Sequence, residues 1–376
     1  MTLHEPLDPI AELRAMTNAP FSEARAMPKS VYTSERFLDA ELRQIFRKEW
    51  FCVGRVDQLA KPGDYMTYEL AGQPVIVLRD ADGQLQAMAN VCRHRMSTLL
   101  EGSGNIKTIV CPYHAWTYNL DGRLRGAPAM KRNEGFDRGA YRLPQIRVAD
   151  WLGWLLISLN PDAPDPYAHF SEVEDLVGDY QMSAYTQLWQ ETHLWNTNWK
   201  VLAENFMESY HLPVCHQGTI GWAVDLNEMD CPPSPATFNY HTIQKDPSFK
   251  LSVAHPDSTR LSGERRLTTY LLSIYPSLMI TLTPGYFWYL SLHPRGPGQV
   301  EILFGGGLGP DFMGDPDAQD MLAKTKLLLD DVNEEDRGCT EKVYMGICSE
   351  LASPGHLSHL ERPNYDFATY LAERLS

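Results

Sequence analysis

Two short segments of the chain each carry one cysteine and one histidine. Cys92 and His94 are followed, after the sixteen residues 95–110, by Cys111 and His114, which gives the spacing C-x-H-x16-C-x2-H. Two thiolates and two imidazoles on paired loops suit a [2Fe–2S] cluster in which the cysteines hold one iron and the histidines the other. A Cys2His2 zinc site uses the same donors, but it usually takes both cysteines from one loop and both histidines from the other. The spacing therefore favours the iron–sulfur cluster.

A second motif, E-x2-H-x4-H, is formed by Glu208, His211 and His216. The sequence predicts a helix from about Trp199 to Leu212, on which Glu208 and His211 share a face because they lie three residues apart. His211 and His216 would point about 140° apart on an intact helix, so Pro213 is predicted to end the helix between them. Two imidazoles, one carboxylate and open positions form the facial triad of non-haem Fe(II) oxygenases. The carboxylate must come from another part of the chain.

The best candidate for that carboxylate is Asp336, on a long helix predicted from about Asp317 to Ile347. Asp336 falls inside an apolar stripe, where a carboxylate is costly unless a metal or another partner neutralises it. A buried salt bridge to an arginine is the alternative for this position. The stripe consists of Leu329, Val332, Cys339 and Val343.

The elements that position these residues differ between the two halves of the chain. An amphipathic helix is predicted to start at Ser34 and to continue to about residue 46. From Trp50 to about Leu159 the apolar residues alternate in short runs between turn signals, which predicts a small antiparallel β-domain. A connector rich in Pro and Asp follows at 160–166. The second half is mixed, with strands predicted over about 267–304, irregular lid-like loops over 217–265, and a β-turn at the glycine-rich segment 305–310 rather than a nucleotide-binding loop.

At this point the first motif resembles the Rieske family, including the Trp116-Thr117-Tyr118 and Asp121-Gly122 that follow it. Nearly the whole chain resembles the catalytic α-subunit of the Rieske non-haem iron oxygenases, which hydroxylate aromatic rings or remove N- or O-methyl groups. The residues that carry this resemblance are NWK at 198–200, EN at 204–205, E-x2-H-x4-H at 208–216, and Glu335-Asp336 followed by Glu341-Lys342-Val343.

The resemblance implies an α+β fold, with an N-terminal Rieske [2Fe–2S] β-domain and a helix-grip catalytic domain built on a curved antiparallel sheet with a long helix. We expect an N-terminal helical segment over 1–45 that packs on the catalytic domain, the Rieske domain over 46–159, and the catalytic domain over 160–376. The resemblance also implies a homotrimer in which the Rieske site of one subunit abuts the iron site of the next.

The resemblance further assigns roles to single residues. Cys92, His94, Cys111 and His114 become cluster ligands. His211, His216 and Asp336 become iron ligands. Glu208 becomes the acidic bridge between the two centres, where many members have Asp, and it is counted with Asn205 as a candidate catalytic residue. Glu at the bridge is the variant of the quaternary-ammonium-oxidising branch. The Cys-containing pattern around the first ligand histidine of that branch is absent here.

The predicted function is a terminal oxygenase that takes electrons from a reductase through the Rieske cluster and activates O2 at mononuclear Fe(II). The alternative is a Rieske electron carrier with a non-catalytic second domain. The sequence contains no dinucleotide-binding fingerprint, so we expect a separate NAD(P)H-dependent flavin or iron–sulfur reductase, or a ferredoxin, as partner. The substrate stays open among aryl acids, aryl ethers and quaternary ammonium compounds, for which aromatic side chains supply stacking or cation–π contacts. Trp222, Tyr270 and Tyr289 are the candidate pocket residues.

Composition excludes several other classes. The 376 residues contain 43% hydrophobic and 22% charged residues, as expected for a folded globular protein. A net charge of −15 makes nucleic acid an improbable partner. No apolar run reaches the roughly 20 residues of a membrane span, and the first twenty residues lack the apolar core of a secretory signal. We therefore expect a cytoplasmic protein whose seven cysteines are thiols or metal ligands.

Overall fold

The computed structural model describes residues 8–221, 226, 229 and 231–375. The chain forms two compact units. Phe46–Tyr167 is the first, which we call the β unit. The described parts of Met1–Ile45 and Ala168–Ser376 together form the second, which we call the α+β unit.

The β unit consists of short antiparallel strands separated by tight turns. Gly63, Gly83 and Gly122 lie in these turns with positive φ angles, a conformation that glycine adopts without steric strain. The strands are β1 Phe51–Arg55, β2 Asp64–Leu70, β3 Gln73–Arg79, β4 Leu85–Ala89, β5 Ser103–Asn105, β6 Ile109–Val110, β7 Thr117–Tyr118, β8 Leu124–Gly126, β9 Gln145–Trp151 and β10 Trp154–Ser158.

These strands form a seven-stranded sheet in the order β1-β10-β9-β4-β3-β2-β5 and a three-stranded sheet in the order β6-β7-β8. One buried cluster joins Ile76 of the larger sheet with Trp116 and Tyr118 beside the smaller one, and it includes Cys92 and Cys111. The segment containing Cys92 follows β4, and the segment containing Cys111 connects β6 to β7. The core of the unit therefore supports both predicted cluster segments.

The α+β unit contains a six-stranded antiparallel sheet and most of the helices. The helices are α1 Pro9–Thr17, α2 Lys29–Thr33, α3 Glu35–Glu41, α4 Pro166–His169, which begins at the end of the β unit, α5 Ser171–Val177, α6 Trp199–Met207, α7 Leu212–Cys215, α8 Ala318–Ile347 and α9 Arg362–Arg374. The strands are β11 Thr186–Trp195, β12 Phe238–Gln244, β13 Thr268–Ile274, β14 Leu278–Leu282, β15 Tyr286–Gly296 and β16 Gln299–Leu308.

The sheet order is β11-β16-β15-β14-β13-β12. Helix α6 packs on β12, β13 and β15, and the 30-residue helix α8 packs on β16, α6 and α7. This antiparallel sheet with a long helix against it confirms the predicted α+β class. None of the described helices is both long and apolar enough to cross a lipid bilayer.

The start of the N-terminal helix was predicted correctly. The Ser34 side chain accepts a hydrogen bond from the Phe37 N–H (3.2 Å) at the beginning of α3, which satisfies one of the free amides of the first turn. Phe37 and Leu38 are buried. The helix is fixed to α6 by a fully buried ion pair, in which Lys200 Nζ lies 2.8 Å from Glu41 Oε1.

Two predictions about secondary structure are wrong. Strand β12 lies inside the segment predicted as irregular, because its alternating side chains pair with β13 along seven residues. The glycines at 305–307 lie in β16 and not in a turn. A Cβ atom at Gly306 would overlap the Trp189 ring, and one at Gly307 would overlap the Thr186 carbonyl oxygen. These glycines therefore permit close approach of strand β11 and its Trp189 ring.

Candidate metal centres

The two cluster segments fold into loops of the same form, at residues 92–97 and 111–116. In each loop the N–H of the first residue donates to the carbonyl oxygen of the sixth (2.9 and 2.8 Å). The N–H of the fifth residue donates to the carbonyl oxygen of the first (3.1 and 3.0 Å). The fifth residues, Met96 and Ala115, have φ angles of 57° and 54°. Each loop therefore holds its cysteine by its own backbone.

The two loops present sulfur inward and imidazole outward. Cys92 and Cys111 are buried, His94 is half-buried and His114 is exposed. The two imidazole rings lie 4.7 Å apart between centroids, and Trp116 stacks on His94 at 4.8 Å. The two loops therefore bring the histidines together near the surface and keep the cysteines buried.

The polar environment of the sulfurs suits thiolates. Burial opposes ionisation of Cys111, but backbone amides of Tyr113 and His114 lower the pKa of its thiol overall. The Tyr118 hydroxyl lies 3.3 Å from Cys92 Sγ. The buried Nδ1 atom of His94 has no hydrogen-bond partner, as expected for an atom that ligates a metal ion. The donor set therefore fits a Rieske [2Fe–2S] cluster.

In the α+β unit, His211, His216 and Asp336 come together. One ligand atom from each of the three lies within 4.8 Å of the others. Asp336 Oδ1 lies 3.5 Å from His211 Nε2 and 3.1 Å from His216 Nε2. This oxygen is buried and forms no hydrogen bond. A buried carboxylate oxygen that faces two imidazole nitrogens and accepts no hydrogen bond fits a divalent metal ion bound by two histidines and one carboxylate.

A second layer of carboxylates orients both imidazoles. His211 Nδ1 lies 2.6 Å from Glu208 Oε1, and His216 Nδ1 lies 2.8 Å from Glu335 Oε2. Glu335 Oε2 also accepts a hydrogen bond from the Thr219 hydroxyl (2.5 Å). When a metal ion binds, protons held on the two Nδ1 atoms leave both Nε2 lone pairs available to ligate it. This arrangement fixes the tautomer that metal binding requires.

These carboxylates also set the charge of the histidines. Burial alone lowers the pKa of His211, but the nearby carboxylates of Asp336 and Glu208 outweigh it and raise the pKa to about 10. The pKa of His216 is raised in the same way, against burial, by Asp336 and Glu335. The carboxylates of the site thus strongly stabilise positive charge between the histidines. A bound metal ion would supply that charge.

The predicted contact between Glu208 and His211 is present, but the helical explanation is wrong. Helix α6 ends at Met207, and Glu208 has extended backbone angles. The Glu208 carboxylate accepts hydrogen bonds from the backbone N–H groups of Tyr210 and His211. The Glu208 carboxylate therefore acts like a helix N-cap for the turn that follows α6. Pro213 lies in the first turn of α7 and does not end α6, since proline is tolerated where no intrahelical donor is needed.

The stripe that selected Asp336 is only partly present. Leu329 and Val332 are buried, whereas Val343 is 53% exposed. Asp336 nevertheless faces the two histidines, and the alternative salt bridge to an arginine is not found for this described residue. Glu335 was missed because it lies outside the stripe. The sequence did show that Glu335 lies next to Asp336. In the structure these two neighbours contact different nitrogens of His216, Asp336 at Nε2 and Glu335 at Nδ1.

A cavity of about 80 Å³ lies beside the three candidate ligands. Its lining includes Glu208 and Asn205 and is otherwise mostly apolar. The Trp288 and Phe206 rings meet edge to face at 5.7 Å in this wall. The other described lining residues are Leu202, Ser209, His211, Leu212, His216, Ile220, His241, Ile243, Leu271, Leu290, Val332, Asn333 and Asp336.

The predicted pocket residues do not match this wall. Tyr270 and Tyr289 lie next to the lining residues Leu271 and Trp288 in sequence, and successive residues of a strand face opposite sides of the sheet. The Tyr289 hydroxyl instead lies within hydrogen-bond distance of the side-chain oxygens of Gln187 and Gln190 (3.0 and 2.8 Å). Tyr270 packs edge to face on Tyr180. Trp222 lies outside the described residues.

One polar residue of the wall was not anticipated. His241, on β12, is buried, and its Nε2 lies 3.0 Å from the Ser209 hydroxyl oxygen. Burial and the charge of His211 lower the pKa of His241 to about 4. It therefore brings a neutral imidazole to the cavity at neutral pH.

Comparison with known protein families gives two matches that together span most of the chain. Residues 49–147 match the Rieske [2Fe-2S] domain, and residues 174–376 match the ring hydroxylating alpha subunit (catalytic domain). The second match favours an oxygenase over an electron carrier with a non-catalytic domain.

Individual relatives agree with this assignment. The chain is 27% identical to the chloroplastic choline monooxygenase of Spinacia oleracea over 95% of this chain and 80% of that protein. It is 33% identical to the carnitine monooxygenase oxygenase subunit of Escherichia coli over 70% of this chain and 68% of that protein. A solved structure of a quaternary ammonium Rieske monooxygenase, studied for carnitine oxidation and inter-subunit electron transfer, shares the fold. It has a TM-score of 0.81 at 23% identity and covers 99% of this chain and 100% of that one.

Proposed function

The chain belongs to the ring-hydroxylating alpha-subunit family of Rieske oxygenases, and from this premise we propose that its substrate is a small quaternary ammonium compound. As a member it is a terminal oxygenase that uses a Rieske [2Fe–2S] cluster and a mononuclear iron. When bound, the cluster supplies electrons one at a time, and the iron supplies open positions at which O2 is reduced and one oxygen atom is transferred.

In our proposal Cys92, Cys111, His94 and His114 hold the cluster, and His211, His216 and Asp336 hold the iron. The buried His94 Nδ1 and Asp336 Oδ1 atoms, which have no hydrogen-bond partner, support these two sets. Glu208 and Glu335 keep the imidazoles of the iron site in one tautomer through their Nδ1 contacts. Asn205 lies in the cavity wall with Glu208, where its amide can orient substrate.

The single observation that carries the substrate class is the composition of the cavity wall. Its described residues include the carboxylates of Glu208 and Asp336 but no lysine or arginine. An aryl acid carries a net negative charge, which these two carboxylates would repel. A quaternary ammonium group instead gains from the faces of Trp288 and Phe206 through cation–π contact. The relatives named for choline and carnitine oxidation point to the same class.

The reaction proposed for this cavity inserts one oxygen atom of O2 into a C–H bond next to the quaternary nitrogen. Two electrons and two protons reduce the other oxygen atom to water. The resulting carbinol breaks its C–N bond and leaves an amine, an aldehyde and a proton. The apolar part of the lining excludes water from the reacting carbon, and the aromatic pair holds the methylated nitrogen in the same cavity as the Glu208 and Asp336 carboxylates.

The test is coupled turnover of the holoenzyme with a surrogate reductase and NADH. We expect O2 uptake with matching aldehyde release for choline, carnitine or glycine betaine. A neutral analogue of the substrate, with carbon in place of the quaternary nitrogen, should bind about 2- to 30-fold more weakly than the substrate. This ratio corresponds to roughly 0.5–2 kcal/mol of cation–π energy. Trp288→Leu should remove this preference, while Tyr289→Phe, on the other face of the same strand, should keep it. Coupled turnover with aryl acids or aryl ethers alone would overturn the substrate class.

Electrons reach the enzyme from a separate partner in this proposal. We propose an NAD(P)H-dependent flavin or iron–sulfur reductase, or a ferredoxin, because the sequence has no dinucleotide-binding fingerprint. All seven cysteines are free of disulfides, which suits a reducing compartment such as the cytoplasm.

We propose that the active unit is a homotrimer joined head to tail. Exposed apolar side chains lie beside both centres. Met96 and Tyr113 are 79% and 56% exposed on the cluster loops, and Tyr210 and Val214 are 53% and 71% exposed around the candidate iron ligands. A second copy of the chain can cover both patches in one heterologous contact, which closes into a ring when the rotation permits. His114 of one subunit then faces Glu208 of the next.

Complementation tests this electron path. A chain without the cluster (Cys111→Ala) and a chain without the iron (Asp336→Ala) are each expected to be inactive. Co-expression should restore activity, since mixed rings contain interfaces with one intact cluster and one intact iron site. Mixed rings confirmed by affinity tags but devoid of activity would exclude the path between subunits. Sedimentation of the purified protein as a monomer would contradict the trimer.

A further inference from the structure

Two cysteines outside the cluster motif lie in direct contact beside the iron site. Cys215 Sγ and Cys339 Sγ are 2.6 Å apart. Both side chains are partly exposed, and neither is in a disulfide. The mechanism above uses neither of them.

Each of the two cysteines lies close in sequence to a candidate iron ligand. Cys215 is the last residue of α7 and directly precedes His216. Cys339 lies on α8, three residues after Asp336. The sulfur contact therefore joins the two segments that carry candidate iron ligands from distant parts of the sequence.

We propose that Cys215 and Cys339 form a peroxide-sensitive thiol pair, and that the disulfide they form locks the two ligand-bearing segments of the iron site together. A disulfide bond has an S–S length of about 2.05 Å. The sulfurs must therefore approach by only about half an ångström. Closure needs no large backbone movement, and the metal ligands keep their positions.

The chemistry balances with hydrogen peroxide as the oxidant. One cysteine loses its proton, and the thiolate attacks peroxide and breaks the O–O bond; the hydroxide that leaves takes up the proton, which gives a sulfenic acid and one water molecule. The second thiol displaces the sulfenic oxygen as a second water molecule, and the S–S bond forms. Two thiols are oxidised and one peroxide is reduced. An oxygenase that reduces O2 without inserting oxygen into a substrate produces peroxide at its iron site. This source of peroxide rests on the proposed function, whereas formation of the disulfide by added peroxide does not.

The expected consequence concerns retention of iron. Release of iron from the reduced protein is expected to require local separation of α7 and α8, because His216 directly follows α7 and Asp336 lies on α8. The disulfide prevents this separation. The oxidised protein should therefore lose iron to a chelator severalfold more slowly than the reduced protein, and dithiothreitol should reverse the effect.

The first experiment detects the bond itself in the wild-type holoprotein. The protein is treated with a small excess of hydrogen peroxide, free thiols are alkylated after denaturation, and non-reduced peptides are analysed by mass spectrometry. We expect a linked peptide pair that contains Cys215 and Cys339. Metal-free protein should form the same link, because the contact belongs to the polypeptide. Absence of this pair in both samples would overturn the proposal, whatever the substrate of the enzyme.

The second experiment measures iron release with a chromogenic Fe(II) chelator, before and after peroxide treatment. Cys339→Ser and Cys215→Ser should release iron at one rate regardless of peroxide, and Cys348→Ser, which changes an exposed cysteine elsewhere on the chain, should behave as wild type. Equal release rates for oxidised and reduced wild type would overturn the lock. Slower release after peroxide in Cys339→Ser would assign the effect to another oxidation and would also overturn it.

Discussion

The candidate cluster site and the candidate iron site differ in the range over which they are assembled. In the β unit, each loop that carries cluster ligands closes through its own backbone hydrogen bonds within six residues. In the α+β unit, His216 and its partner Glu335 are 119 residues apart, and the site exists only because α8 packs on α6 and α7.

This difference has consequences for what disturbs each centre. Local loops tolerate changes elsewhere in the fold, because the hydrogen bonds that shape them involve only neighbouring residues. A site assembled from distant segments depends on every contact that holds those segments together. The β unit should therefore keep its cluster when the α+β unit is damaged.

The largest effect is expected from Asp336→Ala. This change removes the carboxylate that lies between the two candidate histidine ligands. The variant should lose its mononuclear iron and all product formation, yet keep the visible absorption of the Rieske cluster. Metal analysis and absorption spectroscopy on one sample check both points. Iron content equal to that of wild type would show that Asp336 is not a ligand.

The next effect concerns the stability of the α+β unit. Lys200→Met removes one partner of the buried Glu41–Lys200 pair and leaves a carboxylate whose pKa is already raised by burial. Breaking such a pair typically costs about 3–5 kcal/mol. Denaturant unfolding followed by far-UV circular dichroism should show the α+β unit unfolding earlier, while cluster absorption persists to higher denaturant. The double change Glu41→Leu with Lys200→Met should regain much of the loss. Simultaneous loss of both signals would contradict independent units.

The same contrast explains what the sequence could predict. Cys92, His94, Cys111 and His114 are recognisable from spacing alone, because a local loop is encoded locally. The pairing of Asp336 with His211 and His216 could be predicted only from the energetic cost of burying a carboxylate among apolar residues. The apolar stripe on which that prediction rests is incomplete, because Val343 is exposed. The end of α6 could not be located, since the Glu208 side chain, not the proline, forms the turn that follows.

Pocket residues were the least predictable part. Tyr270 and Tyr289 were selected by residue type, but their neighbours Leu271 and Trp288 face the cavity. A strand alternates its faces with every residue, so an error of one position exchanges the two sides of the sheet. On β15, for example, the sequence contains both Trp288 and Tyr289 but does not show which of the two faces the cavity.

Glu335→Gln tests the second layer of carboxylates. The change weakens the acceptor that fixes His216 Nδ1 but leaves all three candidate ligands in place. Loss of such a partner typically lowers metal affinity by about 10- to 100-fold. Competition with an iron chelator measures the affinity. Glu334→Gln is the matched control, because its side chain is 73% exposed on the same helix. Equal affinities for the two variants would exclude an orienting role for Glu335.

The smallest effect is expected in the cluster unit, from Tyr118→Phe. The Tyr118 hydroxyl lies 3.3 Å from Cys92 Sγ, and a hydrogen bond to a cluster ligand stabilises the reduced, more negative state more than the oxidised one. A net contribution of about 1 kcal/mol corresponds to roughly 40 mV for a one-electron couple, so the reduction potential should fall by about that amount. Voltammetry of the purified protein measures this shift. Tyr141→Phe is the control, since that ring packs edge to face on Trp116. Because the loops are closed by their own backbones, the cluster content should stay unchanged in both variants. A loss of cluster in Tyr118→Phe would show that a side chain, and not the local backbone, holds this centre.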